Sequence, residues 1–560
     1  MARFRADLPR SFAGRRRPRG DRDPFIVISR HINMFPSIMD GGAGVLARVQ
    51  SAAVVGLEAS MVEVEVDISP GIPTFAVVGL PDAGVREARE RVRAAVRNSG
   101  YEVPIRRITV NLAPADTRKE GSAFDLPIAL GLLAATHQIP PGALEGFLTI
   151  GELSLDGSVR PVPGVLSIAL AVRDRGGRGL LVPQANANEA GLVQGVPIHP
   201  VGSLSEIARR LRGLAPMCPL PSVGRPAPAI PPNAGDLCDV RGQAHARRAL
   251  EIAAAGGHNV IMLGPPGAGK TMLARRLPTI LPPLTPDEAI EVTRIYSVSG
   301  QLSHGDPLIT VRPFRAPHHT VSAQALVGGG TLPRPGEVSL AHHGVLFLDE
   351  LPEFRRDVLE ALRQPIEEGW ITVTRTHGAL AFPARCMLVA AMNPCPCGHR
   401  GDASRACVCS PAQRTRYLRR LSGPLIDRVD LHVEVPRVSG ADLTAQALGE
   451  ASSEVRARVV LARGLQAARG AGFGTEGLTN ATMPHAQIRH RWGLGEETRR
   501  FLHHAIDRLS LSPRGYERVV RVARTIADLE GAGEIGVPHI AEALAYRTLD
   551  RSEEPGGEGE

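Results

Sequence analysis

Residues 264–271 read Gly264-Pro265-Pro266-Gly267-Ala268-Gly269-Lys270-Thr271, and this stretch decides the fold of the chain around it. An apolar segment at 259–263 precedes it and predicts a short strand, whereas Met272 and Leu273 open a predicted helix. The spacing G-x-x-x-x-G-K-[ST] between a strand and a helix is that of a P-loop, whose backbone N–H groups surround phosphate oxygens. The helix N-terminus adds a favourable dipole for the same anion. We therefore predict that Gly264 to Thr271 bind nucleotide phosphates, with Lys270 reaching the β- and γ-phosphates and Thr271 offering its hydroxyl to Mg²⁺.

Two further apolar segments end in polar side chains. The segment 344–348 leads directly into Asp349 and Glu350, and the segment 387–392 leads into Asn393. Ligands of open parallel sheets bind at the carboxyl ends of the strands. We therefore predict that Asp349 holds Mg²⁺, that Glu350 polarises the attacking water as general base, and that Asn393 orients this water. A P-loop, an acidic pair and a polar strand end in this order predict an AAA+ ATPase that uses ATP and Mg²⁺.

Composition sets limits on the class of protein. The 560 residues are 43% apolar and suffice for two to four domains. No apolar run approaches the ~20 residues that span a bilayer, and the arginine-rich N-terminus is not a secretory signal. A cytoplasmic protein without a membrane partner is therefore expected. The net charge is +8, but residues 1–44, with nine arginines and four aspartates, supply +5 and leave only +3 for the rest.

Lysine is almost absent from the chain. Only Lys119 and Lys270 are lysines among the 65 basic residues. Where arginine has replaced lysine so widely, a remaining lysine can mark a site that needs a compact ammonium group. Lys270 fits this interpretation, whereas chance is a sufficient explanation for Lys119.

Changes in composition predict an α/β chain of several domains. The first ordered block shows strand alternation at 61–68 and 108–112, with a helix between them that Asp82 can cap. A Pro-rich linker, an α/β block and a largely helical block follow. The predicted divisions are a disordered basic leader (1–44), an α+β domain (45–212), the linker (213–235), the AAA+ P-loop α/β domain (236–438), a C-terminal helical lid (439–550) and an acidic tail (551–560).

Several longer motifs carry a family resemblance over residues 45–550. They are Phe314-Arg-Ala-Pro-His-His-Thr320, Gly328-Gly-Gly330, Pro333-Arg-Pro-Gly-Glu337, the run 344–354, Asn393-Pro-Cys-Pro-Cys-Gly398 and Ser422-Gly-Pro-Leu-Ile-Asp-Arg-Val-Asp430. With them the chain resembles the ComM/YifB family of magnesium-chelatase-like AAA+ proteins. The resemblance implies that Asn393 is sensor 1, that Arg428 is an arginine finger acting on a neighbouring subunit's ATP, and that Arg514 is sensor 2. From the residues alone, an arginine between Asp427 and Asp430 is more often part of a surface ion pair.

The first block has a resemblance of its own. Residues 120–128 and 151–159 resemble the domain shared by Lon-type proteases and the branch-migration protein RadA. A Lon-type protease needs a serine nucleophile and a lysine base. Ser122 lies near the serine position, but Leu166 falls closest to the place where the lysine should stand. We therefore expect a Lon-protease-like domain that is not proteolytic and that serves ring assembly or DNA contact.

Four of the seven cysteines form a group. Nine residues separate the pair Cys395 and Cys397 from the pair Cys407 and Cys409, and four thiolates could bind a structural Zn²⁺ tetrahedrally. His399 is a possible substitute ligand, and a cysteine-rich turn without metal is the alternative. Cys218, Cys238 and Cys386 are isolated and expected to be inert.

A hairpin is predicted just before the strand that ends at Asn393. Thr372, Thr374 and Thr376 alternate within 371–382, and in similar ATPases such hairpins face the central pore and grip the substrate. Arg375 and His377 on this hairpin, and Arg385 beyond it, are the candidate DNA contacts. His318 and His319 could serve there too, although a pair of structural histidines is the more common case.

These observations favour a ring-forming ATPase, a homo-hexamer, that moves along branched or single-stranded DNA. The resemblance implies branch migration in recombination and natural transformation. The alternative is a magnesium-chelatase-like ATPase motor subunit acting on a protein partner. An ATP-dependent protease is not favoured, because the chain lacks the lysine base that such an enzyme needs.

Overall fold

The computed structural model describes residues 45–551. Within that range it leaves out 116–118, 120, 222–234, 304–306, 331–332, 376–377, 403–404, 422, 441, 443–448, 472–476, 485–486, 489–491, 493 and 510. The predicted leader, most of the predicted linker, the tail from 552 onward and His377 therefore lie outside the described residues.

A mixed seven-stranded sheet is formed by the first part of the described chain, in the order β3-β4-β2-β1-β5-β8-β9. Its strands are β1 (Val45–Val55), β2 (Glu58–Ser69), β3 (Thr74–Val78), β4 (Arg107–Ala113), β5 (Phe147–Thr149), β8 (Gly179–Pro183) and β9 (Ile198–Val201), and the short β6 (Glu152–Leu153) and β7 (Val159–Arg160) pair beside it. The long hairpin β1–β2 is antiparallel, and the pairs from β5 to β9 are parallel. The strand alternation predicted at 61–68 and 108–112 is confirmed by β2 and β4.

Five helices accompany this sheet: α1 (Ala83–Asn98), α2 (Asp125–Ala135), α3 (Val165–Arg175), α4 (Ala187–Ala190) and α5 (Leu204–Leu211). The predicted cap of α1 is confirmed, because the Asp82 carboxylate accepts a hydrogen bond of 2.7 Å from the Val85 N–H. The helix presents one apolar face to the sheet, and its predicted core residues are fully or almost fully buried. At the start of α2, Asp125 is completely buried and takes two hydrogen bonds from Arg91.

A second sheet is entirely parallel and has the order β11-β14-β17-β10-β18. Its strands are β10 (Val260–Leu263), β11 (Phe314–Arg315), β14 (Val345–Leu348), β17 (Met387–Met392) and β18 (Leu431–Glu434). The residues of β14 and β17 are all buried, as expected for parallel strands covered on both faces. The three predicted strands at 259–263, 344–348 and 387–392 are confirmed to within one residue at their ends.

Most of the described helices around this sheet are short, and the first three are the longest. They are α6 (Ala244–Gly256), α7 (Lys270–Ile280), α8 (Pro286–Ser299), α9 (Ala323–Val327), α10 (Glu337–Leu340), α11 (Arg356–Ala361), α12 (Arg363–Glu368), α13 (Pro411–Leu418) and α14 (Gly423–Ile426). Two small antiparallel pairs lie between them, β12 (Gly328–Gly329) with β13 (Arg334–Pro335) and β15 (Trp370–Arg375) with β16 (Gly378–Pro383). The pair β15–β16 is the hairpin predicted at 371–382. It lies against the β1–β2 turn, since a Cβ on Gly56 would be 3.4 Å from the Leu380 side chain.

Four longer helices follow β18: α15 (Ser452–Ala471), α16 (Glu496–Leu509), α17 (Pro513–Leu529) and α18 (Val537–Ala545). They share one hydrophobic core with β10 and β18. None of the helices in the described residues combines the length and the apolarity that a membrane crossing requires.

Asp430 joins these helices to the parallel sheet. Its side chain is 1% exposed, accepts a hydrogen bond of 3.0 Å from the Asn259 N–H before β10, and pairs with Arg518 of α17 at 2.8 Å. His258 is 3.4 Å away on the other side. Burial raises the pKa of this carboxyl, but Arg518 and His258 oppose burial and hold it well below its usual range.

We expect Asp430→Asn to destabilise the chain by about 3 kcal/mol, since it leaves a mostly buried arginine without its counter-charge. A group whose pKa is depressed by folding stabilises the chain above its unfolded pKa of about 3.9 and loses that effect as the pH falls. The difference between wild type and variant should therefore be full at pH 7 and shrink below about pH 4. Urea unfolding followed by circular dichroism measures it.

The control is Asp427→Asn, the same substitution at a half-exposed position that forms no ion pair with another described residue. It should unfold like the wild type. Equal midpoints for Asp430→Asn and the wild type at pH 7 would contradict the structural role of Asp430.

Candidate ATP site

The predicted phosphate-binding residues meet at the carboxyl edge of the parallel sheet. Lys270 Nζ donates to the carbonyl oxygens of Gly264 and Pro265, at 2.7 and 3.1 Å, and to Asn393 Oδ1 at 3.1 Å. The Thr271 hydroxyl donates to Asp349 Oδ2 at 2.8 Å. The ends of β10, β14 and β17 thus bring together residues that are up to 123 positions apart in the sequence.

The loop itself has the shape that a phosphate needs. Gly267 and Gly269 have φ values of +78° and +87°, and a Cβ at either position would meet no atom within 4 Å. The backbone at these two glycines therefore borders open space, in which an anion could meet N–H groups of the loop. Gly264 is required for another reason, because a Cβ there would lie 2.1 Å from the carbonyl oxygen of Val435. The residues present fit a nucleotide triphosphate with its magnesium ion.

Lys270 is 8% exposed and is the central cation of the site. Burial lowers the pKa of its ammonium group. The nearby Asp349 and Glu350 oppose this effect only in part, so the pKa stays below its usual value. In this chain the ammonium group is satisfied by loop carbonyls and Asn393, all of which are neutral. A phosphate would offer stronger, charge-assisted hydrogen bonds to the same three donors.

Glu350 is linked to this network through its backbone, because its N–H donates to Asp349 Oδ1 at 3.0 Å. Its backbone has φ +54°, in the left-handed region that non-glycine residues rarely adopt, and its side chain is 58% exposed. The carboxylate is therefore accessible to water. His319 Nδ1 lies 3.5 Å from Glu350 Oε2. The His319 ring also packs beside the His318 ring, with centroids 4.1 Å apart, and lies near Phe354. A role of either histidine at the hairpin stays a prediction.

Arg428 and Arg514 do not join this site. Arg428 comes before β18, which runs parallel to β10, whereas the P-loop comes after β10. Arg428 and the P-loop therefore lie at opposite ends of the parallel strands. The strand between them has four residues and is about 13 Å long. Arg428 Nη2 donates to Glu367 Oε2 at 2.6 Å, and Arg514 Nη2 is 3.6 Å from Glu367 Oε1. Both arginines thus belong to one surface, remote from Lys270 of the same chain.

Glu367 is the residue of this surface that sequence reasoning missed. It lies on α12, next to Glu368, and nothing in the local sequence separates one glutamate from the other. Only the approach of the chain before β18 and of α17 to α12 shows which of the two meets the arginines.

The four cysteines form a cluster beside the P-loop. Cys395 Sγ lies 3.4 Å from Cys397 Sγ and 3.6 Å from Cys407 Sγ, and all four sulfur atoms lie within 4.8 Å of one another. Sulfur atoms around a tetrahedral Zn²⁺, each at ~2.3 Å from the metal, are separated by nearly this distance. Backbone hydrogen bonds from the residues at 399 and 408 lower the pKa of Cys397 to about 6. The cluster fits a zinc ion.

His399 is not part of this cluster. Its Nδ1 is 3.0 Å from Asp402 Oδ2, and four sulfur ligands already complete a tetrahedron. The loop lies against the nucleotide site, because a Cβ on Gly398 would be 2.6 Å from the Pro266 ring.

A second group with metal-ligand chemistry does not fit a metal. His342 and His343 both lie within 3.1 Å of the Glu291 carboxylate. The Arg385 N–H donates to His342 Nδ1, so the neutral ring carries its proton on Nε2 and donates it to Glu291. Burial is the main reason why the pKa of His342 is lowered to about 4, so this neutral form persists at physiological pH. The group is a hydrogen-bonded carboxylate with two imidazoles.

The remaining candidate residues lie elsewhere. The Ser122 hydroxyl donates to Glu152, and the fully buried Lys119 donates to the carbonyl oxygen of Pro114. Leu166 is buried in α3. Arg375 ends β15, at the tip of the hairpin, and Arg385 stacks over the exposed Trp370 ring at 6.0 Å from its centroid.

Comparison with known families covers most of the chain. The family described as "Magnesium chelatase, subunit ChlI" matches residues 236–443, "Subunit ChlI of Mg-chelatase" matches residues 64–186, and "Magnesium chelatase, subunit ChlI C-terminal" matches residues 449–547. The chloroplastic magnesium-chelatase subunit ChlI of Nicotiana tabacum is 24% identical over 34% of this chain and 45% of its own length.

Two full-length relatives are much more similar. The chain is 47% identical to the competence protein ComM of Haemophilus influenzae and 45% identical to the protein YifB of Salmonella typhimurium. Each match covers 90% of this chain and 98% of the relative. With the P-loop, the acidic pair and the parallel sheet in place, the chain belongs to the ComM/YifB family of magnesium-chelatase-like AAA+ ATPases.

Proposed function

We propose that this chain forms a ring, a hexamer, in which ATP hydrolysis at the subunit interfaces drives movement along DNA, and that its action is branch migration. The observation that carries the proposal is the separation of Lys270 from Arg428 and Arg514 by the full length of β10. In a ring, the end of the sheet that carries Arg428 and Arg514 in one subunit would lie against the end that carries Lys270 in the next subunit. The competence protein with 47% identity supports DNA as the substrate, because competence is the capacity to take up DNA.

In the proposed reaction, Lys270 leaves the loop carbonyls and binds the β- and γ-phosphates, while the loop N–H groups hold their oxygens. Thr271 and Asp349 would hold the magnesium ion, which would supply positive charge beside the phosphates. Glu350 polarises the attacking water and accepts its proton, and Asn393 orients that water.

Arg428 as finger and Arg514 as sensor 2 approach from the neighbouring subunit and stabilise the charge that develops on the transferred group. The assignment is supported by topology as well as by the family resemblance. Arg428 lies at the opposite end of the parallel strands from Lys270 of its own chain, and Arg514 contacts the same Glu367 as Arg428, which supports action in trans.

The proposal includes the other expectations from the sequence. The domain divisions are kept as predicted, including a Lon-protease-like first domain that is not proteolytic. The contact between Ser122 and Glu152 supports this, since a Ser–Lys dyad needs a lysine at that position. We also propose that the protein works in the cytoplasm.

The zinc site is proposed on the sulfur distances. Zn²⁺ would be held by Cys395, Cys397, Cys407 and Cys409 and would fix the loop that begins at Asn393, which touches Lys270.

The alternative function is that of a magnesium-chelatase-like motor acting on a protein partner. It is favoured by the matches to chelatase families in all three parts of the chain. The two functions differ in their response to DNA.

If Arg428 acts in trans, two inactive variants should complement each other. Arg428→Ala subunits keep the P-loop and Lys270→Ala subunits keep the finger, so about a quarter of the interfaces in a random equal mixture are intact. We expect each variant alone to be inactive and the mixture to regain a measurable ATPase rate. The control mixture of Lys270→Ala with Glu350→Gln should stay inactive, because both changes damage the half-site that one chain supplies. Rings shown to be mixed that regain no activity would refute the trans assignment.

For the cysteine cluster we expect about one zinc ion per chain. Elemental analysis of protein purified without an affinity tag measures it. The double variant with Cys395→Ser and Cys407→Ser should lose the metal. The control, with Cys218→Ser and Cys238→Ser, should keep it. A stable wild-type protein free of metal would rule the site out.

DNA movement is tested with a labelled four-way junction. The chain without residues 1–44 should bind forked and four-way DNA in an ATP-dependent manner and convert the junction to duplex arms. Arg375→Ala should weaken binding and reduce the slope of log affinity against log salt by about one. Arg355→Ala is the control, an exposed arginine paired with Asp357. Rings that hydrolyse ATP but neither bind nor move branched DNA would favour the chelatase-like motor.

A further inference from the structure

Glu367 engages both arginines that the proposed reaction needs elsewhere. Arg428 donates from Nη2 to Glu367 at 2.6 Å and from Nη1 to the carbonyl oxygen of Pro424 at 2.6 Å. Its terminal nitrogens are therefore both committed within the chain, and the residue is only 7% exposed. Arg514 is 53% exposed and faces the other oxygen of the same carboxylate. Arg428 cannot bind a phosphate with both nitrogens until it leaves Glu367.

The carboxylate is well placed to hold these arginines. Its side chain is 44% exposed, so its charged form remains partly in contact with water. The hydrogen bond from Arg428 lowers the pKa of Glu367, and the charges of Arg514 and Arg518 lower it further. Glu367 is therefore ionised throughout the physiological range, and the contact is an ion pair with two cations.

The helix that carries Glu367 is continuous with the hairpin. Helix α12 ends at Glu368, and the next residue, Gly369, has a φ of +71° that turns the chain directly into β15. The carbonyl oxygen of Gly369 accepts a hydrogen bond of 2.8 Å from the Ala384 N–H, just after β16. The end of the helix and the base of both hairpin strands thus meet at one residue. Only Glu368 and Gly369 separate Glu367 from the first residue of β15.

An open space also lies beside the hairpin. The face at Ala379 to Ala381 borders a cavity of about 400 Å³, which the β1–β2 turn closes from the other side. Leu380 of the hairpin already contacts the turn at Gly56, and the cavity lies beside that contact.

We propose that Glu367 is a positioning residue that holds Arg428 and Arg514 back from the neighbouring ATP and couples their release to movement of the hairpin. This rests on the proposed function. A triphosphate carries more negative charge than a carboxylate and accepts bidentate hydrogen bonds from arginine. When the neighbouring subunit binds ATP, the phosphates compete with Glu367 for both guanidinium groups. The freed helix then shifts the hairpin, and a DNA strand on the hairpin would in turn favour release.

The test compares Glu367→Gln with Glu368→Gln in the full-length protein. Glu368 is the neighbouring residue on the same helix, is exposed, and accepts a hydrogen bond only from Gln364 among its described partners. Without its charge, Glu367 releases the arginines, so the ATPase rate without DNA should rise about fivefold or more. Stimulation by DNA should be lost, and fewer junctions should be resolved per ATP hydrolysed. Glu368→Gln should match the wild type in all three measurements.

Glu367→Asp keeps the charge on a shorter side chain and should restore most of the DNA dependence. A purely structural role would not require the charge and would be served as well by glutamine. An unchanged or lower rate without DNA in Glu367→Gln, at an unchanged thermal midpoint, would overturn the proposal.

These outcomes are separate from failure of the proposed function. If wild-type rings do not respond to any DNA, the DNA motor is refuted, and the rate without DNA still reports on the hold that Glu367 has on the arginines.

Discussion

The buried carboxylate of Asp430 is the contact on which the arrangement of the ATPase region depends. It accepts a hydrogen bond from the chain entering β10, pairs with Arg518 of α17 and immediately precedes β18. A buried charge of this kind is stable only while every partner is present. The contact therefore fixes three things at once: the register of β18 beside β10, the position of α17 on the sheet, and the place of Arg428, two residues earlier in the chain.

The two ends of this parallel sheet differ chemically: the amino edge, where its strands begin, and the carboxyl edge, where they finish. The carboxyl edge collects Lys270, Thr271, Asp349 and Asn393, and its loop curves around space for an anion. The amino edge carries Arg428, with Arg514 brought to it by α17. In the proposed function, these are the phosphate-binding half and the cationic half of one ATP site, and assembly into a closed ring would give every half-site its complement.

The loops at the carboxyl edge support one another. Asn393 touches Lys270, and two residues later the chain enters the cysteine cluster, whose Gly398 lies against Pro266. Groups that must be held in a fixed geometry need neighbours that are themselves rigid. A metal ion bound by four cysteines would provide this rigidity next to the P-loop. At the opposite end of the strands, Glu367 contacts Arg428 and Arg514 from the helix that leads into the hairpin.

The sequence determined the local features whose physical cause is local. The P-loop spacing, the acidic pair after an apolar strand, Asn393 and the cap at Asp82 were all predicted at the residues where they occur, because strand–loop–helix geometry and helix capping depend on neighbouring residues. The family resemblance identified Arg428 and Arg514 but gave no distance to Lys270. Which edge of the sheet they occupy depends on the pairing of β18 with β10, across some 170 residues, and on the charge of Asp430 inside the core. The choice of Glu367 over Glu368, the contact of His319 with Glu350 and the meeting of four sulfur atoms were likewise decided only by tertiary structure, since each depends on segments that approach one another after the core has formed.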